Sequence, residues 1–405
     1  MFPKGGPREG ELLMTTPTSP RHLPRICTAV CLALLLLATR ADAVQRNILL
    51  IIADDFGVDS FPLTATAGAS LPPMPNITAL KNSGVLFRSA YSQPTCSPTR
   101  ACILTGRNPI RTGIGAQLTD ATSPQLQASE FTLPEAFAAN SGLGYSLAMF
   151  GKWHLNSGAG TNDTPRTIGG WPTFKGTIIG ALPDYFAWTK VTNGVAGATP
   201  TTTYATTDTA DDVIAFITTR PVGTPWFAWA AFNAPHAPFH VPPSGLHTYG
   251  TPTTNRGMYE AACQALDTEV GRILANVNLG TTDVIFIGDN GTPGQVIQTP
   301  YNTAHSKETL YAGGTRVPMI IAGPDVVSPN RESTAPVNVA DLYSTILELA
   351  GINVATTQPQ DNPLDAKSLL PILKNTTDLE RTGFSQMFSS ALATSVSGRD
   401  RKSVV

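Results

Sequence analysis

The sequence has little charge, few cysteines and only one long apolar run. Asp, Glu, Lys and Arg make up 14% of its 405 residues, and the formal net charge is −2. A nucleic-acid or anionic-membrane partner calls for a basic excess, and this balance gives none. No internal repeat and no heptad pattern appears, so neither a solenoid nor a coiled coil is expected. The length allows one large α/β domain or two smaller ones, with ample material for a core.

The single long apolar run is Ile26–Thr39, ICTAVCLALLLLAT. It is too short for a spanning helix, which needs about 20 apolar residues. Arg21 and Arg25 precede it, and Ala41-Asp42-Ala43 follows. That order predicts a secretory signal peptide over residues 1–43, with Met14 as an alternative start. The chain is therefore expected to be secreted or periplasmic, or lysosomal or extracellular in a eukaryote, with no stable membrane span.

Export changes the meaning of the five cysteines. Cys27 and Cys31 leave with the signal, so Cys96, Cys102 and Cys263 remain. An odd number in an oxidising compartment points to one thiol with chemistry of its own. A Cys102–Cys263 pair is left open. Asn76, Asn162 and Asn375 stand in Asn-x-Thr sequences and would accept glycans in a eukaryotic secretory pathway.

Short apolar stretches end in polar residues again and again. NILLIIADD runs into Asp54 and Asp55, YSLAMFGKWH into Lys152 and His154, WFAWAAFNAPH into His236, and DVIFIGDNG into Asp289 and Asn290. Runs of this length rich in Ile, Val, Leu and Phe predict buried strands. Between them, Met258–Val277 carries an apolar face at helical spacing, and Val339–Ala350 stops at Gly351. Alternating strands and helices predict an α/β fold with a large, mixed, mainly parallel sheet sandwiched by helices. In such sheets the carboxyl ends of the strands gather into one site. The Thr-, Gly-, Ala- and Pro-rich segment 162–208 shows no periodicity and is expected to be a long surface excursion over that site.

The strand tips carry complementary chemistry. Asp54, Asp55, Asp289 and Asn290 are an all-oxygen set, the donor type that Ca²⁺ or Mg²⁺ prefers. Asp54-Asp55 alone would suit a helix N-cap, but a second acid-amide pair at another strand end favours a cation. Arg100, Lys152 and Lys307 supply positive charge, and His154 and His236 supply proton transfer near neutrality. Together these groups suit an anionic ester.

Cys96-Ser97-Pro98-Thr99-Arg100 then matches the C-x-P-x-R signature, and the chain resembles the type I sulfatases. ADD, CSPTRACILTGR, GKWH, FNAPHAPF, GDNG and KETLYAGGTRVP occur in that family's order across most of the chain after residue 43. The resemblance implies the alkaline-phosphatase-like fold and hydrolysis of a sulfate monoester to alcohol and sulfate. It implies that Cys96 is oxidised to formylglycine by a formylglycine-generating enzyme during export, and that its hydrate is the nucleophile. It implies one Ca²⁺ or Mg²⁺ held by Asp54, Asp55, Asp289, Asn290 and modified Cys96. Arg100 and Lys152 would hold the hydrate and the charge beside the metal. His236 and Lys307 would bind sulfate and protonate the leaving alcohol, and His154 would take the hydrate's second proton.

Two positions depart from the family's pattern: Ala312 stands where Glu is usual, and Asn156 where Gly is more usual. The resemblance also divides the chain into a catalytic domain over 44–375 and, over 376–405, the start of a truncated C-terminal subdomain. The partner is then a small-molecule or glycan sulfate ester. A phosphate or phosphonate ester hydrolase using the same modified cysteine, and an inactive truncated relative, are the alternatives.

Overall fold

The computed structural model describes residues 46–119, 122–157, 160–376 and 381–388. The expected signal peptide lies outside the described residues, as does most of 376–405. Twelve strands occur among the described residues: β1 (Asn47–Ala53), β2 (Gly84–Phe87), β3 (Ala90–Tyr91), β4 (Ser146–Lys152), β5 (Phe174–Thr177) and β6 (Val191–Thr192), then β7 (Val195–Ala196), β8 (Trp226–Ala231), β9 (Thr282–Gly288), β10 (Met319–Ala322), β11 (Arg331–Ser333) and β12 (Val337–Asn338).

Ten of them form one sheet in the order β11-β2-β10-β9-β1-β8-β4-β5-β6-β7, and β3 pairs with β12 separately. The five central strands, β9-β1-β8-β4-β5, are mutually parallel. β10 runs antiparallel to both β9 and β2, so the sheet is mixed, as expected. All four strands expected from the apolar runs are present and central.

The sequence of β1 shows why the sheet is covered on both sides. Ile48, Leu50 and Ile52 face a core that includes Ile103, Leu104, Leu342 and Ile346. Leu49, Ile51 and Ala53 face the other, with Val213, Phe216, Leu266 and Val270. A strand buried on both faces must be apolar at every position, which is why the run lacks alternation. Each fully buried Ile or Leu stabilises the fold by roughly 1.5–3 kcal/mol.

The helices Ala205–Thr218 and Asn255–Leu274 cover one face, and Cys96–Thr105 and Asp341–Leu349 the other. The first helix predicted from spacing begins three residues earlier than expected, because Thr254 caps it by accepting from the Gly257 amide. Among the described residues no helix is long and apolar enough to cross a membrane.

The segment 162–208 is more structured than its composition suggested. It adds β5, β6 and β7 to the sheet edge and buries Trp171, Phe174, Tyr185 and Trp188. Its aromatics are too widely spaced to show a period, yet each finds a pocket against the sheet. Of the C-terminal stretch, residues 381–388 carry no strand and lie along the main body. There Phe384 N donates to Asn338 Oδ1 at 2.7 Å, and Ser385 Oγ to the Ser92 carbonyl at 2.6 Å.

Candidate active site

Parallel strands end on one rim, so β1, β4, β8 and β9 deliver Asp54-Asp55, Lys152-His154, Asn233-His236 and Asp289-Asn290 to the same place. Two turns there are strained: Asp55 has φ 66° and His154 has φ 55°, a region that non-glycine residues enter at a cost. The Tyr259 hydroxyl donates to the Asp55 carbonyl at 2.8 Å, and the Asp55 amide donates to Asp289 Oδ1 at 2.9 Å. These bonds hold the turn after β1.

Cys96 opens the buried helix Cys96–Thr105, directly after the extended N-cap residue Thr95. Arg100 lies four residues on, one turn further along the same face. Its guanidinium donates to the Lys152 carbonyl and to Asp289 Oδ2, both at 2.8 Å, and stands 3.9 Å from Asp54 Oδ1. Cys96 Sγ is 3.1 Å from His154 Nδ1. His154 Nε2 lies 3.1 Å from the Leu118 carbonyl, which accepts its proton and leaves Nδ1 free to accept from position 96.

The three carboxylates and three bases pair one to one. Lys152 Nζ lies 2.5 Å from Asp54 Oδ2, Arg100 2.8 Å from Asp289 Oδ2, and Lys307 Nζ 2.6 Å from Asp55 Oδ1. Asn290 Nδ2 also donates to Asp55 Oδ1, at 2.7 Å, and His236 Nε2 stands 3.6 Å from Asp55 Oδ2.

Burial pushes Asp54 well above the usual carboxylate range, reinforced by Asp289 and opposed by Lys152 and Arg100. Burial also opposes ionisation of Asp55 and Asp289. Lys307 and His236 outweigh it at Asp55, and Arg100 and Lys152 at Asp289, so both sit below that range. Burial and the nearby Lys152 hold His154 well below the ordinary histidine value. Burial likewise depresses His236, to about 4, against the pull of Asp55. Both imidazoles are therefore neutral at pH 7.

The donor set fits a hard divalent cation. Asp54 Oδ1 and Asn290 Oδ1 are buried and have no hydrogen-bond partner, a costly state for a polar atom unless something else binds there. Two groupings share Asp54: one with Asp55 and His236, the other with Cys96 and Asp289, each with ligand atoms within 4.8 Å of one another. A bound dication would favour the charged form of all three carboxylates; with the three bases opposite them, the site would then stand near +2 and ready for an anionic ester.

All ten residues singled out in the sequence thus converge. No pattern in the sequence marked Tyr185, whose hydroxyl donates to the carbonyls of Asn233 at 2.6 Å and His236 at 2.8 Å. Nor did it mark Gly180, where a Cβ would lie 2.4 Å from the His154 ring. The close approach of a backbone to a site is the one signal such a glycine carries, and a single sequence does not show it. Asn156 accepts from Trp153 Nε1 at 2.7 Å and donates to the Thr161 carbonyl at 2.8 Å, so it braces the loop after β4. Ala312 is exposed at the start of a short helix. Cys102 and Cys263 are both buried and unpaired, so no disulfide joins them.

The Sulfatase family matches residues 46–352. N-acetylgalactosamine-6-sulfatase of Mus musculus is 31% identical over 388 residues, covering 86% of this chain and 71% of that protein. Across the five mammalian proteins of that name the chain spans 65–71% of their length. The crystal structure of Ps i-CgsB superposes with a TM-score of 0.69 at 25% identity, covering 82% of this chain and 77% of that one. BT4656, solved in complex with its substrate D-glucosamine-2-N,6-O-disulfate, shares the fold with a TM-score of 0.65 at 18% identity, over 85% of this chain and 84% of that one. The chain belongs to the sulfatase family, in the alkaline phosphatase superfamily. Its enzyme class is that of the sulfuric ester hydrolases.

Proposed function

We propose that the chain is an exported sulfatase that cleaves the sulfate monoester of a glycan or other small alcohol. One Ca²⁺ or Mg²⁺ and a formylglycine made from Cys96 by a formylglycine-generating enzyme would serve it. The observation that carries the proposal is the place of Cys96 Sγ. It lies 3.1 Å from a neutral histidine nitrogen and is grouped with carboxylate oxygens of Asp54 and Asp289. Export is supported by the apolar run at Ile26–Thr39 and its flanks, and the glycan class by the names of the relatives. Secreted, periplasmic and lysosomal placements all follow from the same signal.

Asp54, Asp55, Asp289 and Asn290 would hold the cation, with residue 96 completing the set. When present, the cation and the formylglycine hydrate supply Lewis acidity and a hydroxyl nucleophile for sulfur. The chain's own groups do the rest. Arg100 and Lys152 keep Asp289 ionised, and Lys152 orients Asp54. Lys307 and His236 face the sulfate. Lys307 carries a proton at neutral pH, and His236, whose Nδ1 donates to the Ala237 carbonyl, would donate from Nε2 to the leaving alcohol oxygen once the bound anion has drawn a proton onto it. His154, fixed by Leu118, accepts a proton from residue 96 at Nδ1. An unmodified serine at position 96 would lack the second hydroxyl on its carbon and could not release sulfate by elimination, which is the chemical reason for a modifiable cysteine there.

The test is kcat/KM on an aryl sulfate and an aryl phosphate with matched leaving groups. The sulfate should be strongly preferred, because one dication and three bases suit a monoanion. Phosphatases that neutralise a dianion often use two metals about 3.5–4 Å apart. Faster phosphate cleavage would favour a phosphate or phosphonate ester hydrolase. No turnover of either by protein carrying the modification would favour an inactive relative.

A further inference from the structure

A cleft of about 570 Å³ opens onto His154 and His236. That size lies within the range of small-molecule sites, roughly 300–1,000 Å³. Its far walls bring Gln117 from one loop, Asn162 from the start of the 162–208 segment, and the apolar edge of Ile178 and Ile179 after β5. Neither Gln117 nor Asn162 makes a side-chain hydrogen bond among the described residues, and each offers two donors and an acceptor. Ile179 is 59% exposed at the mouth of the cleft, where the apolar face of a ring could cover it.

The charges around this cleft are already committed. Among the described residues no Lys or Arg lines it. The cations nearest its walls in sequence are each tied to an acid: Arg166 to Asp163 at 3.1 Å, Lys175 to Asp212 at 2.8 Å, and Lys190 to Asp208 at 2.7 Å. Lys152, Arg100 and Lys307 face the carboxylates of the catalytic centre. A second anionic group on the substrate ring would lose water here without gaining a counter-charge.

Resting on the sulfatase proposal above, we infer that this cleft is a subsite for an uncharged sugar ring bearing a single sulfate. Gln117 and Asn162 read its hydroxyl or acetamido groups across an Ile178–Ile179 floor. They are the specificity-determining residues of the site. A glycan on the Asn162 amide would lie across the cleft, so the substrate-binding form carries none there.

Binding to the Cys96→Ala chain, measured by calorimetry with Ca²⁺ present, reads the subsite without turnover. One probe pair is N-acetylglucosamine 6-sulfate and D-glucosamine-2-N,6-O-disulfate, which differ only in the nitrogen substituent; the galacto pair is run beside it. In at least one pair the monosulfate should bind about tenfold tighter. Gln117→Ala or Asn162→Ala should weaken that binding by a factor of about three or more. Asn162→Lys should narrow the gap between the two probes by about the same factor.

Equal or tighter binding of the disulfates, no binding of any probe, or an unmoved gap in Asn162→Lys overturns the inference. Turnover of an aryl sulfate by the unsubstituted, modified chain is followed in parallel. Its absence counts against the sulfatase proposal itself, whereas a reversed sugar preference with aryl turnover intact sinks the subsite alone.

Discussion

Cys96 Sγ and His154 Nδ1 stand 3.1 Å apart, although 58 residues separate them. The helix start after Thr95 fixes the first, and the strained turn after β4 fixes the second. A group at position 96 that must lose a proton has its acceptor in place. Peptide mass spectrometry on chain made in a host that oxidises the motif should therefore find aldehyde or hydrate at position 96. Cys102 should stay a thiol, because burial holds it in its unreactive neutral form. An unmodified Cys96 throughout would refute the proposed chemistry.

Chelation should abolish turnover, and Ca²⁺ or Mg²⁺ should restore it. Two buried carboxamide and carboxylate oxygens with no other partner are the reason. Asp289→Ala should lose both the bound ion and activity. It also strands Arg100 in a buried site, so unfolding should become easier by about 3–5 kcal/mol. Elemental analysis and a denaturant midpoint read the two effects separately. Zinc in active wild-type protein, with no alkaline-earth ion, would contradict the oxygen-donor assignment.

Tyr185→Phe removes a buried hydroxyl that bonds the carbonyls of Asn233 and His236 and so holds the turn carrying His236. Stability should fall by about 1–3 kcal/mol, the cost of leaving a buried acceptor unsatisfied. The kcat for a poor leaving group should fall more than for a good one, because His236 is proposed to serve the leaving oxygen. Equal losses on both substrates would make Tyr185 a purely structural residue.

Acid should destabilise the chain through its two site histidines. Burial lowers His154 and His236 in the folded state, so the unfolded chain binds more protons than the native one as pH falls below about 6.5. Their neutral burial therefore costs nothing above that pH. The penalty grows on acidification, and for His236 it stops growing near pH 4. Denaturant midpoints measured from pH 7 to 4 should fall, and His236→Gln should flatten part of that slope. A slope unchanged by the substitution would show that other groups cause it.

The sequence alone determined the central strands and the chemistry at their ends. A strand buried on both faces must be apolar throughout, so Asn47–Ala53 and Thr282–Gly288 announce themselves, and the acids that follow stand out against them. Parallel packing then requires those ends to share one rim, which is why Asp54, Lys152, His236 and Asp289 could be grouped without coordinates. The pairing came from the fold: Lys307 with Asp55, Arg100 with Asp289, and Lys152 with Asp54 are contacts between residues far apart in the chain, set by sheet order and side-chain reach. It also turned 162–208 from an expected surface excursion into the three strands at one end of the sheet and a cleft wall. Single aromatics such as Tyr185 and uncharged amides such as Gln117 and Asn162 have no period and no charge. What gives them meaning is what they face, and that is a property of the folded chain.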